Sequence, residues 1–90
     1  MGKIIDNTIA RRFEMDLEGQ IVFANYRIDQ NILFINYVES PPELRGTGAA
    51  GKLMEGIMGI AKERSYKVVP ICSYAVSWIR RHEEYQSLLV

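Results

Sequence analysis

The run Arg45-Gly46-Thr47-Gly48-Ala49-Ala50-Gly51-Lys52 is the part of this chain best suited to chemistry. Glycine and alanine leave the backbone uncovered, and glycine reaches dihedrals that other residues avoid. A helical pattern begins directly afterwards, which presents unpaired N–H groups and the positive end of a helix dipole. Loop and helix start together make an anion site suited to phosphate. Three phosphate-loop spacings coincide here. Gly46, Gly48 and Gly51 spell G-x-G-x-x-G. Gly46, Gly51 and Lys52 spell most of a nucleotide P-loop, and Arg45, Gly48 and Ala50 spell R-x-x-G-x-A. An ordinary glycine-rich loop with no ligand is the remaining reading.

The elements that must hold this loop follow from hydrophobic periodicity. Residues 1–10 lack a clear period and read as a lead-in or a short edge segment. Phe13, Met15 and Leu17 alternate with Arg12, Glu14 and Asp16, the pattern of a half-buried strand. Glu18-Gly19 is a hairpin signal. A second strand is expected from Gln20 to Asp29, a polar turn at Asp29-Gln30-Asn31, and a third strand from Ile32 to Glu39. The third is apolar on both faces, as a central strand covered on both sides would be. Pro41 and Pro42 remove backbone donors and end it.

A helix is then expected from about Gly48 to Arg64, with Leu53, Met54, Ile57, Ile60 and Ala61 on its buried stripe. Gly56 and Gly59 cost that helix stability and suggest close packing on the sheet. Val68-Val69-Pro70-Ile71-Cys72 reads as a short buried strand, parallel to the third because a helix connects them. Pro70 implies a missing ladder bond and a splay there. A second helix from Tyr74 to His82 and a final helical turn over 83–90 complete the order βββαβα. The expected class is α/β (α+β): an antiparallel meander, a helix, a splayed parallel strand and a C-terminal helix.

The chain has 90 residues, enough for one domain and one core. Its 11 basic and 11 acidic residues cancel, which argues against broad electrostatic binding to nucleic acid or to anionic lipid. No apolar run spans a bilayer, and no signal-peptide pattern opens the sequence, so a cytoplasmic protein is expected. One cysteine forms no internal disulfide, and no Cys/His cluster suggests a metal.

Context separates the three phosphate readings. A P-loop needs Ser or Thr after its lysine to hold magnesium, and Leu53 stands there. The dinucleotide fingerprint should open from the first strand of a βαβ unit, with an acid ending the next strand. Here three antiparallel strands precede the loop, and the next strand ends Val69-Pro70-Ile71-Cys72. The third spacing keeps its context. At this point the sequence resembles the GNAT superfamily of N-acetyltransferases, whose acetyl-CoA pyrophosphate loop is R-x-x-G-x-G/A and whose order of elements is the one found above.

The match is closer still to a small single-domain branch, the N-acetyltransferase-domain-containing-1-like (YjdJ-like) proteins. Val38-Glu39-Ser40-Pro41, Leu44-Arg45-Gly46-Thr47-Gly48 and Val68-Val69-Pro70-Ile71-Cys72-Ser73-Tyr74 carry it, with Trp78 and His82-Glu83-Glu84-Tyr85. That resemblance covers about residues 11–88. The branch usually has a histidine where Tyr37 stands.

By this resemblance the N–H groups from Arg45 through Gly46, Thr47, Gly48, Ala49 and Ala50 to Gly51 cradle the CoA pyrophosphate. Arg45 and Lys52 add charge. The pantetheine arm pairs with backbone near Val38, Glu39 and Ser40. Glu39 is the candidate base for the acceptor amine, unless it is only a loop carboxylate or cap, and Tyr74 the candidate proton donor to the departing thiolate, unless it serves packing alone. Cys72 lines the acetyl site or carries an acyl group, unless it is simply a small core residue. Arg80, Arg81 and His82 either meet the CoA 3′-phosphate or cap a solvated helix end. Trp78 and Ile79 are expected to pack on the sheet. The expected partners are acetyl-CoA and a primary amine on a small molecule or peptide, with no metal, nucleic acid or membrane, in a monomer or homodimer. A CoA-binding module with little catalysis and a non-catalytic interaction domain are the alternatives.

Overall fold

The computed structural model describes residues 3–90. Five strands form one sheet in sequence order: β1 (Ile4–Asn7), β2 (Arg12–Leu17), β3 (Gln20–Asp29), β4 (Ile32–Glu39) and β5 (Lys67–Pro70). The first four pair antiparallel, and β5 pairs parallel with β4. The meander thus has one strand more than its periodicity indicates. β1 is an edge, and its residues alternate only weakly because Ile5 faces solvent.

Both tight turns follow their sequence signals. Glu18 and Gly19 both have positive φ (53° and 82°), as a two-residue hairpin with the correct twist requires. Gln30 and Asn31 do the same between β3 and β4 (50° and 63°).

The long helix α1 (Ala49–Glu63) connects β4 to β5, and α2 (Ser73–Arg80) follows β5. Phe13, Met15, Val22, Ala24, Leu33, Ile35 and Val68 of the sheet form a single core with Leu53, Met54, Ile57 and Met58 of α1 and Ala75, Trp78 and Ile79 of α2. The opposite face carries no helix among the described residues. Phe23 and Phe34 there are half-buried under arginines: the Arg12 guanidinium lies 4.4 Å from the Phe23 ring centre, and that of Arg27 lies 3.9 Å from Phe34. This corrects the expectation that β4 is covered on both sides. The apolar outer residues are shielded by arginine stems rather than by a layer of structure.

The two helix glycines differ. A Cβ on Gly56 would sit 1.8 Å from Ile4 Cδ1, so this glycine lets β1 approach α1. A Cβ on Gly59 would meet nothing within 4 Å, so packing on the sheet is not its role. Gly59→Ala is therefore expected to stabilise the protein by roughly 0.5–1 kcal/mol, read as a raised urea midpoint with an unchanged slope.

A bulge in β4 sets the geometry that matters. Asn25 of β3 faces Tyr37, but Tyr26 faces Ile35, so Asn36 is the extra residue. Before the bulge, odd-numbered Leu33 and Ile35 enter the core. After it, Val38 packs on the core while Tyr37 is exposed. Without the extra residue, Tyr37 and Glu39 would point inward with Leu33 and Ile35.

The parallel ladder closes early. Its last pair is Ile35 with Pro70, and the Ile35 carbonyl accepts from both Ile71 N–H (2.9 Å) and Cys72 N–H (3.4 Å). Beyond it, β4 runs on to Glu39 with no β5 partner. The Pro70 nitrogen points away from β4, on the same side of β5 as that of Val68, so its missing donor costs this ladder no bond. The pairing ends where Ile71 and Cys72 N–H share the one Ile35 carbonyl, which corrects the expected gap at Pro70. The outer edge of β5 is covered by the chain end: Leu89 bridges Val68, and Val90 N–H donates to the Val68 carbonyl at 3.3 Å.

Candidate active site

A cleft of about 350 Å³ opens where β4 and β5 part, at the start of α1. Tyr37, Val38, Glu39 and Ser40 of the free β4 end form one wall. Leu44, Arg45, Gly46, Gly48, Ala49, Ala50 and Gly51 form a second, and Tyr74 of α2 a third. Three elements meet here because a double proline turns the chain from β4 into a short 3₁₀ turn (Pro42–Leu44) that delivers the glycine run to the helix start.

The loop leaves its backbone donors free. Arg45 N–H donates to the Pro42 carbonyl, Thr47 N–H to that of Leu44, and Lys52 N–H to that of Gly48. Among the described residues, the N–H groups of Gly46, Gly48, Ala49, Ala50 and Gly51 find no acceptor in the protein. No side chain caps α1. Its N-cap is Gly48 at φ 83°, and Gly46 has the same φ, a conformation that L side chains reach only at a cost. A Cβ at either glycine would meet no protein atom within 4 Å, so backbone geometry alone demands them. Gly51 differs: a Cβ there would lie 3.2 Å from the Trp78 indole nitrogen, so this glycine also seats α2 against α1.

Five residues with unbonded N–H groups line the cleft at the start of a fifteen-residue helix, with the Arg45 guanidinium beside them. This set suits a diphosphate: it offers several donors to several acceptor oxygens and carries no opposing carboxylate of its own at the helix start.

The polar groups at the free end of β4 form a chain. Tyr37 hydroxyl donates to Glu39 Oε1, and Arg45 Nη2 lies 3.7 Å from Glu39 Oε2. Arg45 Nε also donates to the Ser40 carbonyl at 3.3 Å. The hydrogen bond to Glu39 and the charge of that carboxylate push the Tyr37 phenol above its ordinary pKa. Burial pushes the Tyr74 phenol up, with Arg81 opposing. Both phenols keep their protons through neutral pH.

Of the residues expected to bind a cofactor, Val38, Glu39, Ser40, Arg45, Gly46, Gly48, Ala49, Ala50, Gly51 and Tyr74 line this cleft; Thr47, Lys52 and Cys72 do not. Thr47 is taken up by its own turn, bonding Leu44 through both its N–H and its hydroxyl. Lys52 points to solvent. Cys72 is half-buried at the N-cap of α2, where its sulfur accepts from Ala75 N–H at 3.4 Å.

His82 caps the end of α2, one of its two expected roles: its Nδ1 is 2.6 Å from the Trp78 carbonyl, and its ring stacks on Trp78 with centroids 3.7 Å apart. Arg81 bonds Ser77. Leu44 and Tyr37, which stands where the resembled branch has its histidine, also join the cleft wall. Leu44 gives no signal in sequence, and Tyr37 arrives there through the bulge.

The chain matches the family of GCN5-related N-acetyltransferases over residues 12–88, and it belongs to that family. A GCN5-like candidate N-acetyltransferase from Staphylococcus aureus, known from a solution structure, shares the fold. Its TM-score is 0.76 at 25% identity, over 98% of this chain and 87% of that one. No curated protein matches the sequence significantly. The mixed five-stranded sheet with its splayed pair is therefore a GNAT-like fold, and the membership supports acetyl transfer as the general activity. No described helix is long and apolar enough to cross a membrane.

Proposed function

We propose that this chain is an acetyl-CoA-dependent N-acetyltransferase acting on a primary amine of a small molecule or peptide. It fits the small, single-domain branch that its loop and β5 motifs resemble. The observation that carries the reading is the group of five N–H donors, from Gly46 to Gly51, left without protein acceptors at the mouth of a cleft between two parted strands. Acetyl-CoA supplies the acetyl group as a thioester, and the acceptor nitrogen replaces its thiolate at the carbonyl carbon.

The protein's part is positioning and proton movement. The donors at the start of α1 hold the diphosphate. The free edge of β4 at Val38 to Ser40 offers backbone groups to the amides of the pantetheine arm, a form of strand addition. Glu39 takes one proton from the acceptor ammonium, which frees its lone pair. Tyr74 gives its phenolic proton to the departing sulfur and is reprotonated, through water, by the second proton that the nitrogen sheds as the amide forms. Burial favours this role, because it keeps Tyr74 protonated where a normal phenol already would be and beyond. Cys72 serves as the cap of α2, so Cys72→Ala is compatible with continued turnover.

Two assays test this. Thiol release from acetyl-CoA is measured across a panel of primary amines. Turnover above the amine-free rate supports the reading, and binding without turnover for any amine leaves a CoA-binding module instead. With an active amine in hand, Tyr74→Phe is expected to lower kcat by about 10²-fold or more with KM for acetyl-CoA little changed. In the wild type, kcat falls as pH rises through the raised Tyr74 pKa, because the phenolate has no proton to give. The variant loses this alkaline limb. A Tyr74→Phe enzyme with full kcat and the same limb excludes the assignment.

A further inference from the structure

Arg45 faces two anionic claims on one guanidinium. Its backbone is fixed by the turn bond to Pro42, but its side chain is mostly exposed and spans from the Ser40 carbonyl to Glu39. The same side chain lines the cleft beside Gly46 and Gly48, where the free N–H groups collect. Glu39 is likewise shared: one oxygen accepts from Tyr37, and the other faces Arg45. A planar guanidinium bonds phosphate in the same forked way that it bonds carboxylate, so the two compete for it.

We infer that Arg45 is an exchange residue that pairs with Glu39 until a diphosphate reaches the loop, then moves to the diphosphate and leaves Glu39 bonded to Tyr37 alone. The inference rests on the diphosphate reading of the loop. Its consequence is an order of events. The Glu39 carboxylate is released from Arg45, and so open to the acceptor ammonium, only once the thioester is seated, so the cofactor binds before the amine is deprotonated. Arg45 is then a positioning residue for catalysis as well as a ligand for phosphate, and Tyr37 holds Glu39 in place during the exchange.

A binding cycle on the full chain tests this, with dephospho-CoA as the probe because it carries the diphosphate without the 3′-phosphate. Affinity is measured by calorimetry for the wild type, Glu39→Gln, Arg45→Ala and the double variant. Losing the competitor is expected to tighten binding about two- to fivefold in Glu39→Gln, the range of a partly exposed ion pair. In the Arg45→Ala background the same change should do little.

Simple repulsion between Glu39 and the diphosphate predicts the reverse, an effect as large or larger without Arg45, and that result overturns the exchange. So does a Glu39→Gln variant that binds no better than wild type. If Arg45→Ala binds too weakly to fit, the Arg45 Nε–H resonance decides. It must shift when dephospho-CoA is added to the wild type, and a stationary signal refutes the exchange. Absence of any binding by the wild type at millimolar ligand removes the diphosphate reading itself, and the exchange with it.

Discussion

Ala50→Asp is expected to abolish acetyl-CoA binding while leaving the protein at least as stable as the wild type. Ala50 is the second residue of α1 and lines the cleft among the free N–H groups. A carboxylate in the first turn interacts favourably with the helix dipole, contributing about 0.3–1 kcal/mol, and the first turn of α1 holds no acidic residue of its own. In the proposed complex the same carboxylate takes the place of a phosphate oxygen and repels the incoming diphosphate. At about 4 Å and an effective dielectric near 20, one such pair of charges costs on the order of 4 kcal/mol. Even a partly screened contact weakens binding by about 100-fold or more. Thermal unfolding and acetyl-CoA calorimetry on the one variant check both halves. A loss of binding that came with a large loss of stability would point to misfolding of the loop rather than to competition for it.

Leu53→Ala is expected to be the most damaging change to the fold. Leu53 is fully buried on the stripe of α1 that packs against the sheet, within the single core that both helices share. Truncation removes transfer free energy and leaves a cavity between α1 and the strands, a cost of about 2–5 kcal/mol. Domains of this size are stable by only about 5–15 kcal/mol in total. A fall in melting temperature of roughly 10–25 °C follows. The site suffers too, because α1 supplies the cradle. Binding of acetyl-CoA should weaken in proportion to the unfolded fraction and recover on cooling. A shift of only a few degrees would mean that the core closes over the gap, contrary to the packing described.

Much of this architecture can be read from residue types alone, because the determining signals are local. Glu18-Gly19 and the polar Asp29-Gln30-Asn31 turn set the hairpins, and both turns adopt the positive φ pairs that such turns need. The parallel ladder closes at the Ile35–Pro70 pair, close to where the proline marks the end of the strand, although the Pro70 nitrogen itself faces away from β4. The glycine run ends in a helix N-cap at Gly48, as its small residues and the following apolar stripe suggest.

What escaped is set by long-range pairing. The strand β1 has too few core contacts to show a period, and Ile5 points outward. The outer face of β4 looks buried in sequence because Ile32 and Phe34 are apolar. It is Arg27, from the neighbouring strand, that covers Phe34. Nothing in the run Phe34-Ile35-Asn36-Tyr37 announces the bulge, since the extra residue is defined only by its partner on β3. That bulge is why Tyr37 and Glu39 leave the core face, and so why the candidate base can meet Arg45. Cys72 is less legible. A cysteine beside the splay suggests chemistry, yet its sulfur is engaged in capping α2. Glycines likewise look alike in sequence, while Gly56 admits β1 and Gly59 admits nothing.

Where an acyl-CoA diphosphate binds this chain is asked directly by a residue-resolved amide NMR titration of the wild type with acetyl-CoA. The predicted result is saturable movement of the Gly46, Gly48, Ala49, Ala50 and Gly51 amide signals, with smaller shifts along Val38 to Ser40. Movement confined to other parts of the sheet, or no movement at millimolar ligand, would contradict it.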